Sequence, residues 1–407
     1  CDSPARAYIK GVCNFNGKHG CLKCCIVGEY SHVSHTVTFP ETNCHPRTDQ
    51  EFREKKYGPH HKTDSPLLRL PVDMVQDFPV ADSLHLVDLG IMKRLLVGWR
   101  NGNFGKYITK WSAKDTETVS NFLIKHELPS EIHRAVRGLD CLSHWKASEY
   151  RSFLLYLSIV ILPDVLSQNA FSHFLTFFCG ITICSSRNYR HLLPLAKELL
   201  QYFVQHYKDF YGADYITSNV HNLVHVTDEV DRFGPLHTFN AYPFENKLYF
   251  IKRMLRHGNR PLAQVAKRFS EGSASVKITR STENQELGNR EPFITTNSRK
   301  KTVLHFKDYK LSSKSHDKYF LLANNNVFEV KKVTVDDNDI QVHGYYITHL
   351  MEVFENPVKS SFLNIFKANL QTNRRTDIIV RPQDVKIKLA CVEHKNQLYF
   401  IPLLHTV

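Results

Sequence analysis

Between Leu86 and about Val230 the apolar residues return every three to four positions. Leu89, Met92, Leu95 and Leu96 keep a period of 3.6, as do Phe153, Leu154, Tyr156 and Leu157, and then Leu192, Leu195, Leu199 and Phe203. That spacing predicts a large all-helical block. Upstream of it, Ser3-Pro4 reads as an N-cap followed by proline at the first helical position, opening a helix through about Lys10. Residues 13–65 are rich in Cys, His, Gly and Pro, with one expected strand at His35–Phe39. Downstream, Asn240-Ala-Tyr-Pro243 opens another helix, on which Phe244, Leu248, Ile251 and Leu255 form one apolar stripe. Residues 272–301 are polar and read as a linker. Beyond them the period changes to two. Strands are expected at Lys318–Leu322, Val327–Val335, Ile340–Ile347, Asp377–Val380, Lys386–Val392 and Leu398–Leu404. Asn324-Asn325-Asn326 and Asp336-Asp337-Asn338-Asp339 supply turns, so a separate, small, barrel-like β domain is expected.

Length and composition narrow this picture. A chain of 407 residues exceeds one ordinary core and implies two or three domains, and 42% hydrophobic with 12% aromatic residues implies a folded protein. The two most apolar runs, Phe153–Leu162 and Phe174–Cys184, fall short of the roughly 20 residues of a spanning helix, so no membrane partner is expected. A formal charge of +13 favours a polyanionic partner, through counterion release, over dispersed surface charge. No signal peptide is visible, and a chain that opens on Cys1 is expected to be a fragment, a processed product or an incomplete gene model.

Three acidic features carry possible chemistry. Asp2 sits where a strand would end and a helix begin. Asp82-Ser-Leu-His85 precedes the helical block, and Glu245 lies on the helix opened by Pro243, with Tyr249, Lys252 and Arg256 on its face. Taken singly, each acid reads equally as a cap or a surface group. Six of the ten cysteines (Cys1, Cys13, Cys21, Cys24, Cys25, Cys44) crowd the first 44 residues, a distribution that fits metal ligation in a reducing compartment better than disulfides. Cys21 and Cys24 have zinc-knuckle spacing, and Cys13, His19, His32, His35, Cys44 and His45 are available partners; the alternative is a pair of reduced, partly buried thiols. His221-Asn-Leu-Val-His225 has the ligand spacing of a helical zinc protease, but Asn222 stands where such an enzyme needs a glutamate base. The segment therefore reads as a structural helix. Lys252, Arg253, Arg256, Arg260, Lys267 and Arg268 could track a DNA backbone or form a solvated helix face; Lys93-Arg94 and Arg299, Lys300 and Lys301 are further basic stretches.

The ordered set Cys1-Asp-Ser-Pro-Ala-Arg-Ala, Gly20-Cys21-Leu-Lys-Cys24, Val37-Thr-Phe-Pro, Arg47-Thr-Asp49, Ser65-Pro-Leu-Leu and Asp77-Phe-Pro with Asp82-Ser-Leu-His85-Leu-Val resembles the CACTA (En/Spm) cut-and-paste DNA transposases. The resemblance continues through Trp145-Lys-Ala-Ser-Glu-Tyr-Arg151, Asn219-Val-His-Asn-Leu223, Phe244-Glu245-Asn, Pro357-Val-Lys-Ser-Ser361 and Pro402-Leu-Leu-His405. It implies an α+β, mostly helical protein: a partial RNase H-like catalytic fold over 1–85, a helical insertion over 86–238, a returning catalytic helix over 239–271, the linker over 272–301 and the β domain over 302–407. It implies Asp2 as the second and Glu245 as the third Mg²⁺- or Mn²⁺-binding acid, the first lying upstream of this chain, and Asp82 and His85 as the family's Asp-x-x-His signature. His85 would touch the scissile phosphate, order an acid, or simply be packed. Two such ions about 3.5–4 Å apart would serve an in-line displacement at phosphorus. Asp2, His85 and Glu245 are then expected to approach one another. Transposon-end DNA as partner, a homo-oligomer and a nuclear location follow from the same resemblance. The rival expectation is a domesticated, non-catalytic protein that binds DNA or chromatin.

Overall fold

The computed structural model describes residues 2–104, 109–271, 292–296, 302–314, 316–336, 339–370 and 377–404. The fold is α+β. Helices dominate from Ser83 to Met254, and antiparallel strands make up the C-terminal part.

The first helix, Ser3–Lys10, is capped by Asp2 rather than Ser3: the Asp2 side chain accepts from the Ala5 N–H at 3.0 Å. Gly11 ends it at φ +66°, where a Cβ would stand 2.3 Å from the Thr63 carbonyl oxygen, so the close approach requires glycine. The expected strand at His35–Phe39 shortens to Thr36–Thr38, paired with Glu29–Ser31. His35 is spent on the turn at φ 52°, and the Phe39 N–H donates to the Ile216 carbonyl, 2.7 Å away in the helical block.

The helical block is built around Gln168–Cys184 and Leu193–Tyr211. Ser167 caps the first of these by accepting from the Ala170 N–H, and Pro194 stands in the first turn of the second. Their facing sides carry Phe174, Phe177, Phe203 and Tyr207, all fully buried, and Trp99 meets Phe174 edge-on at 5.6 Å. Seven strands form one curled sheet in the order Asp377–Val380, Asp339–Ile347, Val327–Asp336, Tyr319–Leu322, Val385–His394, Gln397–Pro402, Phe366–Asn369. Register shifts at Val330/Lys332 and Val385/Ile387 bend its long strands, and the two end strands do not pair with each other. The result is an open half-barrel instead of a closed one.

Two expectations need correction. Within the supposed linker, Phe293–Thr296 is a strand that pairs with Thr302–His305, which in turn pairs with Lys310–Ser312. Ile294 faces Leu304 there, and that small sheet covers Phe320 and Phe328 of the half-barrel. The rest of the linker, with Arg299, Lys300 and Lys301, lies outside the described residues. Nor is the β region separate. Ala390, Val392, Ile401 and Leu403 join the helical core directly, together with Phe354 and Leu363 from the preceding loops.

Polar contacts reinforce this junction. The Lys388 ammonium, fully buried, lies 2.6 Å from Asp317 and 2.7 Å from Glu131. Asp317 also accepts from the Ser130 N–H and hydroxyl, and Glu131 from the Lys310 N–H.

Candidate metal centre

Lys23 lies between Cys21 and Cys24, and its buried ammonium pairs with the buried carboxylate of Glu229 at 2.8 Å. Glu229 follows His225 by four positions and His221 by eight, so all three project from neighbouring turns of the 218–233 helical segment. The two histidines meet the two thiols. Cys21 Sγ is 3.5 Å from His225 Nε2, Cys24 Sγ is 3.3 Å from His221 Nε2, and the sulfurs are 3.5 Å apart. All four ligand atoms lie within 4.8 Å of one another, and no other group of three or more such ligands gathers this tightly among the described residues.

The donor set suits a tetrahedral metal. With Zn–S near 2.3 Å and Zn–N near 2.0–2.1 Å, tetrahedral edges come to about 3.6 Å for S···N and about 3.8 Å for S···S. The observed separations sit just inside those values, as expected of side chains closed on one another by hydrogen bonds. Burial works against a charged Cys21. The Cys24 thiol that donates to it and the His225 and His221 rings nonetheless pull Cys21 well below the ordinary thiol range. Cys24 is driven up, because it donates that hydrogen bond and is itself buried. One thiolate is thus already favoured, as metal binding requires.

This corrects the expected partners of the CxxC. Cys13, His19, His32, His35, Cys44 and His45 are not ligands of the cluster; the histidines come from a helix about 200 positions downstream. His221–His225 is helical as expected, but its role is not purely structural: the i, i+4 spacing of its histidines is the spacing of metal ligands, here facing the thiols and not a protease site. Glu229 was missed altogether.

Glu229 carries the brace onward. Its carboxylate accepts from the Val80 N–H (2.8 Å) and the Ala81 N–H (2.6 Å), fixing the backbone just before Asp82. Arg6, on the first helix, donates to the Pro79 carbonyl at 2.5 Å. The buried Asp82 then accepts from Leu84 N–H (3.2 Å), from Ala241 N–H (2.9 Å) and from His85 Nδ1. Burial raises the Asp82 carboxyl, but the His85 and Ala241 hydrogen bonds outweigh it and hold the group below its ordinary range. His85 Nε2 points the other way and lies 3.7 Å from Glu245 Oε1.

The structure therefore brings Asp82, His85 and Glu245 together across 160 residues of chain. Asp2 is exposed and caps its own helix, and its charge is felt at Arg6 alongside those of Asp82 and Glu229. Asp2 and Glu245 do not close a carboxylate set of the kind a pair of Mg²⁺ ions needs among the described residues. Lys252, Arg253, Arg256 and Arg260 are exposed and form no ion pair among the described residues, whereas Arg268 pairs with Glu271 and Lys267 reaches the same acid. Arg94 is turned inward over Phe104 and Tyr215 instead of presenting a basic surface.

Beneath this corner Asp88 is fully buried, with the Tyr242 hydroxyl donating to it at 2.6 Å. Burial pushes its pKa from an ordinary 3.8 up to about 7, against the partial relief given by Arg151 and Tyr242. The folded state thus keeps a proton that the unfolded chain releases, so this contribution to stability is present below pH 4 and is lost as pH rises through 7. Asp88→Asn keeps the acceptor and removes the charge. Denaturant midpoints at pH 5 and pH 8 will show the variant gaining stability relative to the parent at the higher pH, by up to about 3 kcal/mol.

Residues 288–403 match the model of a domain of unknown function (DUF8592), a stretch that takes in the half-barrel and its covering sheet. No curated protein and no solved structure matches the chain.

Proposed function

We propose that this protein acts on DNA in the manner of the CACTA-type transposases it resembles, with zinc bracing the site. The observation that carries the reading is the convergence of Asp82, His85 and Glu245 beside the exposed cations Lys252 and Arg253 on the Glu245 helix and Arg256 and Arg260 just beyond its end, on a corner tied by Glu229 to a Cys2His2 cluster. Cys21, Cys24, His221 and His225 would hold the zinc, the usual metal for two thiols and two imidazoles with all four positions closed by protein. Asp2 and Glu245, the acids the resemblance implies for Mg²⁺ or Mn²⁺, do not close such a site among the described residues, so no step is routed through that metal. An RNase H-like arrangement of these acids belongs to the same proposal.

The chain's own residues have clearer tasks. Asp82 is committed to three donors and is a positioning residue: it fixes the His85 tautomer and leaves Nε2 directed at Glu245. His85 is set to hand a proton to, or take one from, a phosphate oxygen lying there. Lys252, Arg253, Arg256 and Arg260 would neutralise the backbone alongside.

The acids that do not close a set favour a second reading, a derivative that binds DNA without cutting it. A single assay separates the two. The chain, extended by the upstream segment that the resemblance implies for the first acid, is titrated onto duplex DNA and incubated with Mg²⁺ or Mn²⁺. Binding should weaken by at least tenfold in the Lys252→Ala, Arg256→Ala double variant, with a salt dependence shallower by about one unit per cation removed. Nicking that disappears in Glu245→Gln supports catalysis, binding without nicking supports the second reading, and no binding contradicts both.

A further inference from the structure

A cavity of about 780 Å³ opens beside Tyr242, between the loop over 131–135, the Ala147–Ser152 helix and His237. Its volume is typical of a small-molecule site, not of a lone-ion one. Two guanidinium groups line it, Arg134 and Arg151, and neither forms an ion pair among the described residues. The one acid on the wall, Glu131, already faces Lys388 at 2.7 Å. The wall also carries the ring of Tyr242, with the Arg151 guanidinium 6.0 Å from its centroid, the apolar Ile132 and Ala135, and His133, Ser148, Ser152 and Tyr156. Arg134 is exposed and Arg151, whose charge also relieves the buried Asp88, forms no direct ion pair; planar cations beside an aromatic face recognise a ligand that is anionic at one end and flat at the other.

We propose that this cavity binds a phosphorylated nucleotide unit, its phosphate between Arg134 and Arg151 and its base against Tyr242. The unit is either a free nucleotide or a nucleotide of a single DNA strand. Tyr242 opens the helix that carries Glu245 three residues later, and the preceding Ala241 N–H donates to Asp82, so an occupied cavity would press on the mouth of the acidic corner. The inference does not rest on cleavage, because it is tested without catalysis or added divalent metal.

Calorimetric titration of the full chain with deoxyadenosine, deoxyadenosine 5′-monophosphate and a single-stranded tetranucleotide decides it. The phosphorylated ligands are expected to bind at least tenfold more tightly than the nucleoside. Arg134→Ala, at an exposed position, should remove that advantage without moving the melting temperature, and Arg151→Gln should act in the same direction. A tighter tetranucleotide assigns the site to a DNA strand, and a tighter monophosphate assigns it to a free nucleotide. Equal binding of nucleoside and nucleotide, or an advantage that survives Arg134→Ala, overturns the proposal whatever the outcome at Glu245.

Discussion

Purified Cys21→Ser protein will carry almost no zinc and will melt well below the parent, and His221→Ala will do the same. Both residues are buried and belong to a four-ligand set whose atoms lie within 4.8 Å of one another. Structural zinc contributes roughly 10–16 kcal/mol of apparent binding free energy in small domains, so losing one ligand should cost several kcal/mol here. The loss reaches beyond the metal. Cys21 and Cys24 flank Lys23, whose partner Glu229 also fixes the Val80 and Ala81 amides, so the variants should loosen the Asp82–His85 segment as well. Cys13→Ser and Cys141→Ser are the controls. Both lie outside the cluster and should retain full zinc and a nearly unchanged melting temperature. Metal analysis and calorimetry on the same preparations check both halves.

The second large effect is expected at Lys388. Its ammonium and the Asp317 carboxylate are 0% and 1% exposed, which leaves little water to take over if one partner is removed. Lys388→Met would strand Asp317 and most of Glu131 as unpaired buried charge, a change that typically costs about 3–5 kcal/mol. Because Ser130 and Glu131 belong to the helical side and Asp317 and Lys388 to the half-barrel side, the damage should concentrate at their junction. The double variant Lys388→Met, Asp317→Asn should recover part of the loss, since it removes a buried charge along with its partner. Urea denaturation followed by tryptophan fluorescence and by hydrogen exchange along the strands measures the total cost and its location. A loss below about 1 kcal/mol would mean the network is solvated in solution.

The parts of this fold that could be read from sequence were those governed by local periodicity. The 3.6-residue rhythm from Leu86 to Val230 and the two-residue rhythm after Lys318 each reflect one face turned to a core, and both became the elements they predicted. Caps and joins depend on partners that are remote in sequence, and there the reading slipped. Asp2 took the cap expected of Ser3, because its carboxylate reaches the Ala5 N–H. Phe293–Thr296 looked like linker because two apolar residues stand in a polar stretch, and only Ile294 is held, by a core that includes Leu304, while Phe293 stays exposed. The half-barrel shares its core with the helices because Val392 and Ile401 point inward from strands whose other faces looked self-sufficient.

At the site the division was similar. Asp82 and His85 stood out as a short motif, but that they pair with each other was not read from it. The approach of Glu245 to His85 came from the resemblance, not from any pattern in the chain. The CxxC was plain, but its completion by His221 and His225 needed two short motifs to be matched across about 200 residues, and neither fixes the other's direction. Glu229 showed no signal beyond its spacing from the histidines, and its role appears only once Lys23 and the Val80 amide are beside it.

The bracing of the acidic corner rests on the claim that two thiols and two imidazoles about 200 residues apart in the chain share one metal. X-ray absorption at the zinc edge of the purified full chain tests that claim directly. The structure predicts two sulfur scatterers near 2.3 Å and two imidazole nitrogens near 2.0–2.1 Å, at one zinc per chain. A four-sulfur shell, a shell of nitrogen and oxygen alone, or an unchanged spectrum in His221→Ala would contradict it.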